Sequence, residues 1–401
     1  MKIVIAPDSY KESLSALEVA VQIEAGFRTQ FPDAEYIKLP VAGCRLPVAG
    51  CRLPVADGGE GTVDAMVAAT AGRVIKANVT GPLGDEVDAF YGVSGDEKCA
   101  FIEMAAASGL ELVPPPLRNP LKSTSYGTGE LIGKALNQGV KHIIIGIGGS
   151  ATNDGGAGMV QALGVKLLDK HGKQIGFGGG KLAELDRIDI SELDPRIKSC
   201  RIEVACDVTN PLTGSAGASA VFGRQKGATP AMIAQLDEGL QHYADVIKRH
   251  LGIDVDPVEG AGAAGGLGAA LLAFCGATLS PGIDIVTDAL GLDALVRDAT
   301  FVITGEGRMD SQTIHGKVPV GVARVAKRYN KPVIGIAGSL TDDVDVVYEH
   351  GLDAVFSVID TICTLEQALD NAGDNVFRAA RNIAATLAIG MAAGKAENTS
   401  G

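Results

Sequence analysis

Residues 142–156 read HIIIGIGGSATNDGG, a run of apolar residues that leads directly into glycines and then into polar side chains. A short apolar run bounded by glycine is typical of a buried strand in a parallel sheet. Similar runs begin at Lys2 (KIVIA), Phe301 (FVITG) and Pro332 (PVIGIAG), and the last two also end in glycine. We therefore predict an α/β fold with ligand-binding loops at the carboxyl ends of its strands.

Helical patterns lie between these runs. Ser15 and Glu18 have the spacing of a capping box at the start of an amphipathic stretch. A second apolar stripe at helical spacing runs from Val318 to Tyr329, with Pro319 near its start. The alternation of strand, loop and helix supports a parallel sheet.

Two stretches depart from this rhythm and indicate a second domain. Residues 73–111 contain short strands separated by turn-like sequences, which we interpret as hairpins, and residues 169–284 mix a strand and a long helix with glycine-rich loops. We predict a discontinuous, Rossmann-like parallel-sheet domain formed by residues 1–72, 122–168 and 285–401. An inserted α+β domain is predicted for residues 73–121 and 169–284.

Composition restricts the function. The chain has 401 residues, of which 46% are hydrophobic and 21% charged, and this is typical of a globular protein. Its formal net charge of -13 excludes nucleic acid as a partner, because that affinity comes largely from lysine and arginine. A single anionic metabolite can still bind through backbone amides and a few local cations.

The seven cysteines are odd in number and scattered, and no secretory segment follows Met1, so we expect a cytoplasmic protein. The uncharged stretch 260–283 is long enough to span a membrane, but its glycine and alanine content favours a loop that leads into a buried helix. We predict no membrane association. A homo-oligomer is left open by the sequence.

A tandem repeat interrupts the approach to one glycine loop. LPVAGCR occurs at residues 39–45 and again at 46–52, and LPVADGG follows from residue 53. It is too short for a solenoid, and is either a natural local duplication or an artefact of cloning. We expect the last copy to form the strand before the loop and the first two to loop out.

Five polar or glycine-rich loops follow predicted strands; they begin near Asp8, Asp57, Gly148, Gly305 and Gly338. Glycines let backbone amides approach phosphate oxygens, while carboxylates and lysines supply metal ligands and positive charge. A phosphate-binding site is therefore expected where these loops meet. No Gly-Lys pair is followed by serine or threonine, which excludes a Walker-type phosphate loop.

A rival interpretation is a dinucleotide site. Residues 146–151 fit G-x-G-x-x-A after a strand, and Asp169 lies downstream as a candidate ribose ligand. This pattern would make the protein an NAD(P)-dependent oxidoreductase of a small hydroxy acid. Against it, the polar residues 150–154 are an unusual start for a helix that packs on a sheet. A non-enzymatic nucleotide sensor using the same loops is a further alternative.

Specific motifs connect the chain to a known family. APDSYKESLSA begins at Ala6, VADGGEGT at Val55, GGSATNDGG at Gly148, CDVTNPLTG at Cys206 and TGEGRMDSQTIHGK at Thr304. With these motifs the chain resembles the type 1 glycerate kinase family over nearly its full length, apart from the repeat. The resemblance implies two α/β domains with a cleft between them, ATP with Mg²⁺ as the phosphoryl donor, and 2-phosphoglycerate as the product from glycerate.

We assign candidate roles from the chemistry of these motifs. The predicted catalytic residues are Lys11, as a cation for substrate or phosphoryl group, and Asp207 or Asp310 as general base. Asp154 and Glu306 are the predicted metal ligands. The predicted substrate-binding residues are Asp8, Ser9, Asp57, Gly58, Gly59, Glu60 and Asn210. The predicted nucleotide-binding residues are Gly148, Gly149, Ser150, Thr152, Asn153 and Lys317. His315 is interpreted as a polar side chain at the surface near a helix start, not as an acid or base.

Overall fold

A computed structural model describes residues 1–39, 62–314 and 316–398 of the chain. In these ranges the strands are β1 (Lys2–Ile5), β2 (Glu35–Lys38), β3 (Arg73–Thr80), β4 (Glu86–Val93), β5 (Cys99–Glu103), β6 (His142–Gly146), β7 (Lys166–Asp169), β8 (Leu185–Asp189), β9 (Arg201–Ala205), β10 (Thr278–Ser280), β11 (Phe301–Met309), β12 (Val333–Leu340) and β13 (Ala354–Ser357).

The helices of the same ranges are α1 (Ala16–Arg28), α2 (Thr62–Ala69), α3 (Ala105–Ser108), α4 (Tyr126–Asn137), α5 (Ala157–Ala162), α6 (Ala218–Phe222), α7 (Pro230–Leu251), α8 (Ala263–Cys275), α9 (Gly282–Ala289), α10 (Leu292–Val296), α11 (Val318–Lys327), α12 (Val346–Glu349), α13 (Leu365–Asp370) and α14 (Ala372–Asn398). Short 3₁₀ turns occur at Leu110–Leu112, Pro115–Leu117, Gly179–Glu184, Pro195–Ser199, Arg224–Lys226 and Ser311–Ile314.

The described residues form two compact units, and the chain enters the second from the first and then returns. Residues 1–39, 286–314 and 316–398 belong to the first unit, and residues 62–285 to the second. The first unit is therefore discontinuous in sequence, because the whole second unit is inserted between its two parts.

The first unit is built on a parallel sheet of five strands in the order β13-β12-β11-β1-β2. Its core combines isoleucines of β1, β11 and β12 with apolar side chains of α1 and α14, all of them buried. Gly26 lets α1 approach α14, because a Cβ there would lie 2.7 Å from the Cβ of Ala380. The parallel pairing of β1 with β11 brings the loops after both strands to one edge.

The predicted capping box at the start of α1 is confirmed. The Ser15 hydroxyl accepts a hydrogen bond from the Glu18 N–H at 3.3 Å, and the Ser15 N–H donates to the Glu18 carboxylate at 2.8 Å. These two bonds pair backbone groups that a helix start otherwise leaves open. Helix α1 therefore begins at the position that the sequence indicates.

The second unit has a mixed sheet of six strands in the order β10-β9-β6-β5-β4-β3. Strands β5, β6, β9 and β10 are parallel, while β3 and β4 form an antiparallel hairpin that joins β5. The hairpin agrees with the turn-like sequences of residues 73–111. Strands β7 and β8 form a separate antiparallel pair.

The structure corrects the predicted assignment of two segments. Residues 122–168 and 62–72 lie in the second unit and not in the parallel-sheet domain of the first. Strand β6 pairs with β5 on one side and with β9 on the other. Its apolar run correctly indicates a buried strand, but such a run does not state which sheet the strand joins.

The glycine loop after β6 does not have the geometry of a dinucleotide fold. Such a fold needs a tight turn that opens a helix directly after the strand. Here β6 ends at Gly146 and the next helix, α5, does not begin until Ala157. Asp169 ends β7, which belongs to the separate two-stranded pair. These two observations remove the structural basis of the oxidoreductase interpretation.

Helix α8 confirms the interpretation of residues 260–283 as a loop that leads into a buried helix. Non-helical backbone angles at Ala264, Gly265 and Gly266 bend its start, and the following residues are largely buried. Among the described helices none is long and apolar enough to cross a membrane. Beyond Leu39 the LPVAGCR repeat lies outside the described residues.

Two glycines of α4 provide a matched test of the packing in the second unit. A Cβ at Gly129 would lie 2.2 Å from the Met159 carbonyl oxygen, whereas a Cβ at Gly133 would meet nothing within 4 Å. We expect Gly129→Ala to lower the free energy of unfolding by about 1–3 kcal/mol through overpacking. Gly133→Ala should raise it by up to about 1 kcal/mol, because alanine loses less conformational entropy in a helix.

Denaturant unfolding followed by circular dichroism measures both variants. Equal midpoints for the two would contradict the close approach of α4 to α5.

Candidate active site

The first unit has a polar cluster at the carboxyl ends of β1 and β11. Asp8 follows β1, and its backbone N–H donates to the Gly305 carbonyl at 2.7 Å, which joins its loop to β11. The Asp8 carboxylate accepts from the Ser9 N–H at 2.6 Å and from the Ser9 hydroxyl at 3.2 Å. We call the following residues the Asp8 cluster: Asp8, Glu306, Asp310 and Lys317.

Glu306 is the most enclosed carboxylate of the cluster, with 6% of its surface exposed. The Thr313 hydroxyl donates to one of its oxygens at 2.6 Å, and the Lys317 ammonium lies 3.1 Å from the other. The same ammonium is 3.9 Å from Asp310, whose second oxygen lies 3.4 Å from the Arg308 guanidinium. Two cations and two carboxylates are thus held together beside β11.

The charges of the cluster act on one another. Burial raises the pKa of Glu306 above its usual range, and the Asp8 carboxylate raises it further, against the lowering effect of Thr313 and Lys317. Burial also raises the pKa of Asp8, while its hydrogen bonds from Ser9 and the charges of Lys11 and Lys317 oppose this. An added cation would stabilise both carboxylates in their charged form.

Tyr10 fixes the loop that carries Lys11. Its hydroxyl donates to the Ile336 carbonyl at 2.7 Å, and burial raises its pKa, with the Glu306 carboxylate acting in the same direction. Gly307 permits the loop to lie close against β11, because a Cβ there would be 3.3 Å from the Lys11 backbone nitrogen. Lys11 itself is exposed, and its charge reaches Asp8.

In the second unit, the Asp154 carboxylate organises the glycine loop after β6. It is completely buried and accepts hydrogen bonds from the Ser125 N–H and hydroxyl, both at 2.9 Å, from Gly156 N–H at 3.1 Å and from Gly158 N–H at 3.2 Å. Gly155 and Gly156 have positive φ angles of 62° and 74°, which favour glycine. The carboxylate therefore connects the starts of α4 and α5.

The rest of the loop divides into accessible and buried parts. Gly149 is exposed and Gly148 is half-buried, whereas Ser150, Thr152 and Asn153 are buried. The Ser150 segment also pairs with residues 108–110: the Ala151 N–H donates to the Ser108 carbonyl at 2.9 Å, and the Leu110 N–H donates to the Gly149 carbonyl at 2.8 Å. Only the glycine backbone is therefore open to a ligand.

Asp207 and Asn210 follow β9 in the same unit. The Asp207 carboxylate accepts from the Gly282 N–H at 2.9 Å. Partial desolvation by the surrounding protein raises its pKa, and the Asp284 carboxylate adds to this, although Asp207 has an exposed surface. The Asn210 side chain donates to the Ala216 carbonyl at 2.8 Å, which closes a turn. Asp207 thus keeps solvent access together with an increased affinity for a proton.

The structure brings several of the predicted site residues together, and it gives Asp154 a different role from the predicted one. Asp8, Ser9, Glu306, Asp310 and Lys317 lie together in the first unit. Asp154 has no exposed surface and four hydrogen bonds within the protein, which is a structural role and not that of a metal ligand. Asp57, Gly58, Gly59, Glu60 and His315 lie outside the described residues.

Four participants escape prediction from the sequence: Tyr10, Ser125, Lys226 and Thr313. Ser125 follows no strand, and only its contact to Asp154 distinguishes it from an ordinary polar residue. Thr313 lies in the 3₁₀ turn just after β11, inside the motif that begins at Thr304, and its contact to Glu306 reveals its role. Tyr10 lies inside the motif APDSYKESLSA that begins at Ala6, and this position in a family motif is the signal that could have identified it. Lys226 lies on a short turn between Gly223 and Gly227, in a stretch where the sequence indicates glycine-rich loops.

Within the residues that the structure describes, no group of three or more histidine, cysteine, aspartate or glutamate side chains is placed to enclose a metal ion. The described cysteines, Cys99, Cys200, Cys206, Cys275 and Cys363, are all free thiols.

Comparison with known proteins places the chain in a family. The model of the glycerate kinase family matches residues 3–44 and 45–388. A glycerate 2-kinase of Escherichia coli (strain K12) is 67% identical over 391 residues, which are 98% of this chain and 99% of that protein. A glycerate kinase of Haemophilus influenzae is 57% identical and covers 97% of this chain and 99% of its own.

A solved structure shows the same fold. The crystal structure of a Salmonella typhimurium LT2 protein, proposed to be a glycerate kinase 2, is 68% identical in sequence and superposes with a TM-score of 0.85. The match covers 98% of this chain and 99% of the other. An α/β fold with polar loops at the carboxyl ends of its parallel strands is typical of ligand-binding enzymes. This chain belongs to the glycerate kinase family.

Proposed function

We propose that this protein is a kinase that transfers a phosphoryl group from ATP to the 2-hydroxyl of D-glycerate, giving 2-phosphoglycerate and ADP. The observation that carries the proposal is the 67% identity to a glycerate 2-kinase, which extends over 98% of the chain. The signature motifs of the sequence lie within residues 3–44 and 45–388, which the family model matches. The geometry of the polar loops supplies independent support.

Phosphoryl transfer requires cations to spread the charge of the transferring group and backbone amides to orient it. The Asp8 cluster has Lys317 between two carboxylates, and the exposed Lys11 lies on the adjacent loop. We assign Lys11 and Lys317 to the anionic groups of substrate and nucleotide. Ser9 is assigned to substrate contact and Asp8 beside it to the metal, since both lie at the accessible end of β1.

We assign the metal ligands to Asp8 and Glu306. In nucleotide sites Mg²⁺ takes one or two carboxylates, together with waters and phosphate oxygens, so that no closed protein cage is needed. The Asp8 carboxylate raises the pKa of Glu306, so the two negative charges are near enough to act together on a cation. When bound there, Mg²⁺ would neutralise phosphate charge.

The glycine loop of the second unit suits the phosphates of the nucleotide. Gly149 presents backbone that is exposed to solvent, and Gly148 beside it is half-buried. The next polar residues of the loop are buried and support this backbone from the interior: Ser150, Thr152 and Asn153. We therefore assign phosphate contact to the two glycines, and a supporting role to the three polar residues.

Asp207 is the better candidate for the general base. A base works best when its pKa is raised towards the working pH, and the pKa of Asp207 is raised while its surface stays exposed. Asp310 instead lies against Lys317 and Arg308, and it also accepts from the Gln312 N–H at 2.9 Å. Asp310 is assigned to positioning these cations.

We also propose that the protein works in the cytoplasm. The five described cysteines are free thiols, which fits a reducing compartment.

Phosphorus NMR of the product tests the proposed activity. With MgATP and D-glycerate we expect ADP and 2-phosphoglycerate, because the relative with 67% identity is a glycerate 2-kinase. A signal from 3-phosphoglycerate alone would assign the transfer to the other hydroxyl. The absence of any glycerate-dependent ADP would exclude the kinase activity itself.

Asp207→Asn and Asp310→Asn should behave differently. Loss of the base should reduce kcat by a factor of about 10² to 10⁴ in Asp207→Asn, with the fold intact. Asp310→Asn should mainly raise KM, because it disturbs Lys317 and Arg308 while the general base Asp207 is kept. Steady-state kinetics and thermal unfolding of both variants measure this. A larger loss of kcat in Asp310→Asn would reverse the assignment.

A further inference from the structure

Lys226 is a lysine in the interior of the second unit, with 1% of its surface exposed. It ends the 3₁₀ turn Arg224–Lys226, whose backbone is fixed by hydrogen bonds from the Lys226 N–H to the Gly223 carbonyl at 3.1 Å and from the Gly227 N–H to the Arg224 carbonyl at 3.0 Å. The turn therefore sets the direction of the side chain. None of the roles assigned above uses it.

The Lys226 amine contacts the glycine loop at two points. It donates to the Ser150 hydroxyl at 2.6 Å and to the Thr152 carbonyl at 2.7 Å. The preceding helix α6 adds a third point, because the Asn153 side chain donates to the Ser219 hydroxyl at 2.9 Å. Residues more than sixty positions away in the chain thus hold the loop that ends in Asp154, through hydrogen bonds in the protein interior.

A buried lysine is costly for the fold, since its charged form loses hydration. Burial lowers the pKa of Lys226 to about 7, and the buried Asp154 carboxylate, the charged group whose field acts on it, opposes this shift. An apolar side chain of similar length would fill the same space without that cost. The amine therefore has a use that packing alone does not explain.

We propose that Lys226 is a positioning residue that holds the backbone of Gly148 and Gly149 in place for nucleotide phosphates and adds positive charge beneath them. It acts through Ser150 and Thr152, which it contacts, and not by touching a phosphate itself. The inference rests on the proposed function only in assigning phosphates to these glycines. Its stabilising effect is electrostatic as well as geometric, so it depends on whether the amine holds a proton.

Binding of MgADP, measured by calorimetry, tests this without turnover. Lys226→Met should weaken the binding of MgADP by about tenfold or more, the loss expected when a hydrogen bond to a charged group is removed. Ser219→Ala is the matched control, because it removes a neutral contact to the same loop. Lys248→Met, an exposed lysine paired with Asp254, should bind as the parent does.

The pH dependence separates a charge effect from simple loop support. In the parent, MgADP affinity should fall as pH rises from about 6 to 8.5, because Lys226 loses its proton over this range. Lys226→Arg and Lys226→Met have no group that titrates in this range at the position, so both should lose this fall of MgADP affinity with pH. Ser219→Ala should keep it. Titration of the nucleotide is common to all the proteins and cancels in the comparison.

Kinetics complete the test. KM for ATP should rise in Lys226→Met while KM for glycerate stays near the parental value, whereas general damage to the fold would change both. If the methionine variant does not fold, Lys226→Arg, which keeps a cation and donors there, still provides the pH comparison.

Three results would overturn the proposal: parental affinity for MgADP in Lys226→Met, a pH profile shared by parent and Lys226→Arg, or no binding of MgADP to the parent. A parent that binds MgADP with the predicted pH profile but produces no ADP with glycerate would refute the kinase activity and leave the role of Lys226 intact.

Discussion

The buried carboxylate of Asp154 is the interaction on which the second unit's loops depend. It accepts four hydrogen bonds, two from Ser125 before α4 and one each from Gly156 and Gly158 at the start of α5. Three of these donors are backbone N–H groups, which would be costly to leave unpaired in the interior. By satisfying them, Asp154 lets the chain leave β6 through a long loop and still start a helix. The accessible glycines at the front of the loop depend on this anchor.

Both units concentrate charge where burial disfavours it. The pKa of Glu306 and of Asp8 is raised, so their ionisation costs stability: the cost is absent below the pKa of the unfolded chain and grows as pH rises through it. The pKa of Lys226 is lowered, so protonation of this amine costs stability below about pH 7, and the cost disappears as pH rises towards the pKa of the unfolded chain. A bound divalent cation would offset the negative charge of the two carboxylates, and nucleotide phosphates would offset the positive charge of the amine. We propose that these buried charges serve to bind such ligands.

Much of the fold could be predicted from the sequence, because the signals are local. Apolar runs identified β1, β6, β11 and β12, and the Ser15 hydroxyl with Glu18 identified the start of α1. The Asp8 cluster was also predictable, since its residues follow strands. The sheet that β6 joins was not, because strand pairing is non-local. The Asp154 side chain points inward because Gly155 and Gly156 adopt positive φ angles. Lys226 contacts the loop from a turn that is distant in sequence. Neither feature produces a periodic pattern in the sequence.

Amide hydrogen exchange of Asp154→Ala, read by mass spectrometry, tests most directly whether this carboxylate anchors the loops. The variant removes every acceptor at once, so residues 123–128 and 148–158 should exchange faster than in the parent, while strands β1, β11 and β12 of the first unit keep their protection. Asp186→Ala, an exposed aspartate of the same unit, is the control and should exchange as the parent does. Unchanged exchange of both segments in Asp154→Ala would contradict the account.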